Sequence, residues 1–153
     1  MISDKSLTIA VDFDGTIVEN AYPGIGETKI FAFETLKRLE NEGHRLILWT
    51  YRHGKRLQAA VDFCKENGLE FYAVNMSYPE EEFDPQLSRK INADIFIDDR
   101  NVGGFLGWGE IYHELTNVKP EIPKTSKKKK RQLVVGMISV PLTPDKKYYQ
   151  VCG

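Results

Sequence analysis

Asp12 and Asp14 stand two residues apart at the end of a short apolar run, Leu7-Thr-Ile-Ala-Val-Asp12, and Gly15-Thr16 follow at once. In extended backbone, residues at i and i+2 point the same way, so these two carboxylates share a site. Asp98 and Asp99 close a second apolar run, Ala93-Asp-Ile-Phe-Ile97. If both runs are parallel strands, up to four negative charges meet in one crevice. Like charges at such spacing are unstable without a cation or a raised pKa. A hard divalent ion with oxygen ligands relieves the repulsion, and Mg²⁺ fits best. Donors for an anionic oxygen belong to the same edge: Thr50 and Arg52 follow the run Arg45-Leu-Ile-Leu-Trp49, and Lys90 precedes the run that ends at Asp98. Acids and a metal on one side, with donors on the other, point to phosphate chemistry.

The elements that must position these residues alternate along the chain. Residues 7–12, 45–50, 69–74 and 93–98 are short apolar segments that predict buried strands. Between the first two, Ala32, Leu36 and Leu39 recur at helical spacing within Thr28–Asn41, and Gly43 is placed to end that helix. Leu57, Ala60, Val61 and Cys64 mark one face of the next helix, which Gly68 closes. Asn75–Arg89 is polar and reads as loop. Glu110–Leu115 predicts a short helix. This order predicts an α/β fold: a Rossmann-like parallel sheet with helices on both faces. In open parallel sheets ligands gather at the carboxyl ends of the strands, where the acids and donors lie.

Four segments resemble the haloacid dehalogenase-like (HAD) superfamily. Asp12-Phe-Asp-Gly-Thr16 after a strand is similar to its first motif, Thr50 to its second, Lys90 to its third, and Asp98-Asp99 to its acidic fourth. The resemblance spans residues 7 to about 118, and Asp98–Gly104 with Trp108-Gly109 resembles a small bacterial branch of the superfamily. It implies a Mg²⁺-dependent phosphatase. Asp12 would be the nucleophile, forming an aspartyl-phosphate. Asp14 would be the general acid and then base, with its pKa raised by the crowded acids. Asp12, the main chain of Asp14, and Asp98 would hold the metal, with Asp99 either adding to it through water or orienting Lys90. Thr50 and Lys90 would hold the phosphoryl oxygens, and Arg52 is a third candidate for that task. Only 11 residues separate Thr16 from Thr28, and Asn75–Arg89 is 15, so no sizeable cap domain is expected.

Taken singly, each residue has a plainer explanation. Asp14-Gly15 is a hairpin turn signal, Thr50 a strand-end hydroxyl, Lys90 a solvated lysine, and Asp98-Asp99 a capping pair. Their joint order favours the phosphate site. The alternatives kept are a non-catalytic or regulatory phosphate-binding module of the same fold, and a phosphatase directed at nucleotides or nucleic acid through a basic tail. A signalling receiver domain is set aside, because its phosphoacceptor would end the third strand, which here ends Val74-Asn75.

Composition bounds the rest. With 153 residues, 41% hydrophobic and 28% charged, the chain can bury a core, which excludes disorder throughout. Apolar runs of about five residues exclude a membrane span, which needs ~20. The first residues lack the build of a secretion signal, and Cys64 and Cys152 make no disulfide framework, so a cytoplasmic location with reduced thiols is expected. Net charge is −1, but unevenly spread. Residues 119–153 hold nine Lys/Arg against two Asp/Glu, a balance of +7, while 1–118 hold twelve against twenty, a balance of −8. The expected organisation is a catalytic domain over 1–118 and a basic extension over 119–153, with a strand near Leu133–Val140. Lys127–Arg131 reads as a solvated linker in preference to a nucleic-acid patch. The expected partner is a phosphomonoester, small or bulky. The three histidines show no ligand spacing and are expected at the surface.

Overall fold

Strand β1 (Thr8–Val11) takes an interior place because it is apolar on both sides: Ile9, Ala10 and Val11 are all buried, the pattern of a strand covered on two faces. A computed structural model describes residues 5–117 of the chain, and all statements below concern that part. The expected extension 119–153, its Leu133–Val140 strand, Lys127–Arg131 and the boundary at 118/119 lie outside it. After β1 come α1 (Ala32–Asn41), β2 (Arg45–Leu48), α2 (Gly54–Glu66), β3 (Ala73–Val74), β4 (Ile95–Ile97) and α3 (Trp108–Asn117). The four strands form one sheet in the order β3-β2-β1-β4, and every pairing is parallel. The fold is α/β, and no segment among the described residues folds as a separate cap.

The helices cover one face of the sheet, whereas the sequence predicts helices on both. Buried residues of α1 (Ala32, Phe33, Leu36, Leu39), α2 (Ala60, Cys64) and α3 (Trp108, Ile111) all join one core with Ile9, Val11, Leu46, Leu48 and Ile97. Leu36 and Leu39 are completely buried, and together they stabilise the α1 layer by about 3–6 kcal/mol. The opposite face (Ala10, Ile47, Ala73 and Phe96) meets Trp49, Met76, Ile91 and Ala93 instead. Apart from Trp49, which follows β2, that cover comes from the β3–β4 crossover, which has no helix because residues 75–93 are polar and interrupted by Pro79 and Pro85.

Element bounds shift in places. β3 keeps two residues of the expected six, and α1 starts at Ala32 because Thr28 is drawn into an antiparallel bridge with Val18. Gly43 and Gly68 end their helices with φ of 90° and 77°, as expected. His44 is buried, not at the surface: its Nδ1 accepts the N–H of Leu7 at 3.1 Å. Cys64 is core, and burial pushes its thiol up to about 12. No helix among the described residues is long and apolar enough to cross a membrane.

Candidate active site

Strand register decides what meets at the carboxyl edge. Val11 pairs with Leu48 on one side and Ile97 on the other, so Asp12, Trp49 and Asp98 leave the sheet at one level. The ladder runs one step further, with the N–H of Asp12 on the Ile97 carbonyl (2.9 Å) and that of Trp49 on Val11 (2.8 Å). Asp12, Asp98 and Asp99 each present a carboxylate oxygen, and the three lie within 4.8 Å of one another. Burial pushes the Asp12 carboxyl up to about 7, and the charges of Asp98 and Asp99 add to that; the Phe13 N–H and the Thr16 hydroxyl work against it. Asp99 Oδ1 is buried without a hydrogen-bond partner. Such an atom costs about 1–3 kcal/mol or more unless something meets it. An all-oxygen donor set, three close acids and an orphaned carboxylate oxygen suit a hard divalent cation.

The turn after β1 is held by residues that spacing alone does not single out. Thr16 is fully buried. Its hydroxyl donates to Asp12 Oδ2 (3.2 Å) and accepts the N–H of Asp99 (3.0 Å), while its carbonyl accepts from Trp108 Nε1 (2.9 Å). One threonine thus ties the ends of β1 and β4 to the start of α3. Gly15 has φ +88°, and a Cβ there would overlap the Asp99 carboxylate; both facts require glycine.

Asp14 faces a different environment. Arg52, 1% exposed, grips it with Nε and Nη2 at 2.7 Å each. The same guanidinium donates to the carbonyls of Pro23 and Gly24 and lies against the rings of Phe13 and Tyr22. Arg52 is therefore neither a solvated loop residue nor a free phosphate ligand; it is committed to Asp14 and to the 19–27 hairpin. The crowd of acids expected around Asp14 forms around Asp12 instead, with Asp98 and Asp99, while Asp14 meets Arg52. Beside them, Asn75 stitches the loop after β2: its Oδ1 accepts the N–H of Thr50 (2.8 Å) and its Nδ2 donates to the Arg52 carbonyl (3.4 Å). Asn75 does this with φ 53°, a conformation asparagine tolerates.

A cavity of about 650 Å³ opens at this edge, bordered by Asp12, Asp14, Asp98 and Thr50. Its remaining wall is Asn20, Tyr22, Trp49, Tyr51 and Arg100. Lys90 is not in the lining. It is exposed, with Nζ 5.5 Å from the centre of the Phe96 ring, because its segment crosses the sheet face that Phe96 occupies. Of the residues expected at the site, the structure gathers Asp12, Asp14, Thr50, Asp98 and Asp99, buries Arg52 behind Asp14, and leaves Lys90 outside. Arg100 is the exposed cation on the cavity wall.

Among solved structures, a conserved protein coded by a locus of Bacteroides thetaiotaomicron is similar to this chain. The two are 57% identical, the match covers 75% of this chain and 93% of that one, and the TM-score is 0.71. This chain belongs to that protein's family. No family model matches the chain, and no curated protein does.

Proposed function

We propose that this family member is a Mg²⁺-dependent phosphomonoester hydrolase of the haloacid dehalogenase-like superfamily. The observation that supports the reading most is the convergence of Asp12, Asp98 and Asp99 within 4.8 Å, at the strand ends of a parallel sheet. Asp12, Asp98 and Asp99 would hold the ion, which supplies positive charge against the incoming phosphate. Asp12 attacks phosphorus in line, breaking the bond to the ester oxygen and forming an aspartyl-phosphate. Asp14 gives the leaving oxygen its proton, then takes one from the water that attacks the intermediate. Both oxygens of Asp14 are engaged by Arg52, so that grip fixes the carboxylate and must loosen for the transfer. Thr50 and Arg100 flank the phosphoryl oxygens from the cavity wall, the task sequence assigns to Thr50 and Lys90.

The same grip supports the second reading, a phosphate-binding module without turnover, in which Asp14 stays locked. Turnover of p-nitrophenyl phosphate with Mg²⁺ separates the two. The phosphatase reading expects hydrolysis that a chelator stops, that Mg²⁺ restores, and that Asp12→Asn lowers by about 10⁴-fold or more. Undiminished hydrolysis in Asp12→Asn would overturn the covalent mechanism.

A further inference from the structure

The cavity has more room than a phosphate group needs, and much of its outer wall is aromatic. Tyr51 is 89% exposed, yet its main chain is fixed from both sides. The Thr50 N–H is bound by Asn75, the Arg52 N–H reaches the Thr50 hydroxyl at 3.3 Å, and the Arg52 side chain is buried. The loop therefore holds a ring out into solvent on a rigid support, where it contributes little to the core. Tyr22 comes to the same cavity from a different loop. Its hydroxyl accepts from Arg56 Nη1 at 2.7 Å, and its ring lies 5.4 Å from the guanidinium of Arg52 and 5.2 Å from that of Arg56. Trp49, at the end of β2, is the third ring in the lining. Tyr22, steadied by a hydrogen bond and two cations, and Tyr51, carried between hydrogen-bonded neighbours, stand beside a tryptophan and form a surface suited to a flat ring. At about 650 Å³, the cavity lies in the range of sites that enclose a whole small molecule.

We propose that the substrate is a nucleoside monophosphate, with its phosphate at Asp12 and its base stacked on the aromatic wall, Tyr51 foremost. The inference rests on the phosphatase reading for the phosphate end and on the three rings for the base. Base–aromatic stacking tolerates any base, because each has a π-face; the wall selects for a base over none more than for one base over another.

The test compares AMP and UMP with ribose 5-phosphate, the same ester lacking a base, on the full chain with Mg²⁺. Wild type is expected to favour both nucleotides by about tenfold or more in kcat/KM. Tyr51→Ala is expected to shrink that preference by about fivefold or more, at most to parity, mainly through KM, and Tyr51→Phe to keep it. Equal use of ribose 5-phosphate by wild type, or a preference that survives Tyr51→Ala, overturns the inference. Failure of the phosphatase reading shows separately, as no turnover of any ester, p-nitrophenyl phosphate included. Calorimetric titration with AMP and ribose 5-phosphate then decides the base contact alone. Tenfold tighter AMP supports it, and equal binding overturns it.

Discussion

The two halves of the carboxyl edge are built on opposite terms. At the ends of β1 and β4, three acids crowd together, one is pushed up to about 7, and another keeps a buried oxygen with no partner. At the ends of β2 and β3, Thr50, Arg52 and Asn75 are joined by hydrogen bonds, and the one charge is paired twice over. Sheet pairing is continuous across both halves, so backbone does not explain the contrast; side chains do. The first half keeps charge that the described polypeptide leaves unmet. The second half finds all its partners within the polypeptide, Asp14 and the Pro23 and Gly24 carbonyls among them, and forms a fixed wall beside the first.

The sharpest way to break the contrast is to cut the completed half. Arg52→Ala leaves the largely buried Asp14 carboxylate without its partner and strips two carbonyls of a donor. Losing one member of a buried ion pair costs about 3–5 kcal/mol. Denaturant unfolding is expected to show a loss of that order, and an unchanged midpoint would mean that the second half is not held by this pair.

The frustrated half predicts a smaller effect with its own sign. In the folded metal-free chain Asp12 holds its proton up to about 7, against an ordinary 3.8, so the folded state binds more protons than the unfolded state between those values. Stability therefore falls as pH rises from about 4 to about 7, and the full penalty is present above that. Chelator-treated protein is expected to melt about 5 °C lower at pH 8 than at pH 5 beyond any change in Asp12→Asn, and Mg²⁺ is expected to reverse the loss at pH 8. Parallel melting curves for the two proteins would show that Asp12 carries no such strain.

The smallest expected effect sharpens the division within the wall. Asn75→Ala removes two hydrogen bonds from half-buried loop backbone and is expected to cost about 1–2 kcal/mol. It should also free Tyr51, seen as faster amide exchange at residues 50–52. Unaltered exchange there would assign the loop's rigidity to Arg52 alone.

The acids were legible in the sequence because strand ends in a parallel sheet share an edge wherever they lie along the chain. Asp12 and Asp98 follow short apolar runs, and period-2 spacing adds Asp14. Long-range pairing was not legible in the same way. Arg52 reads as a donor from its position after Thr50, and only tertiary packing shows its donors spent on Asp14 and the 19–27 hairpin. Lys90 precedes the right strand, but its crossover runs along a face and not to the edge. Helices on both faces followed from alternation, which the polar, proline-broken 75–93 segment does not complete. Thr16 had a signal in the Gly-Thr pair after Asp14, although its service to Asp99 and Trp108 spans more than 80 residues. The exposed tyrosines carried no periodic pattern at all.

The chain has two tryptophans, and the fold gives them separate optical roles. Trp108 is 2% exposed, donates its indole N–H to the Thr16 carbonyl, and packs edge-on to Phe105 with centroids 5.7 Å apart. Its emission is expected to be that of a shielded indole, poorly quenched by dissolved iodide and sensitive to movement of the turn holding Asp12. Trp49 borders the cavity and is half-buried, so a solute quencher reaches it until an occupant covers the ring. Filling the cavity and rearranging its floor therefore register in two distinguishable channels, with no label attached to the protein.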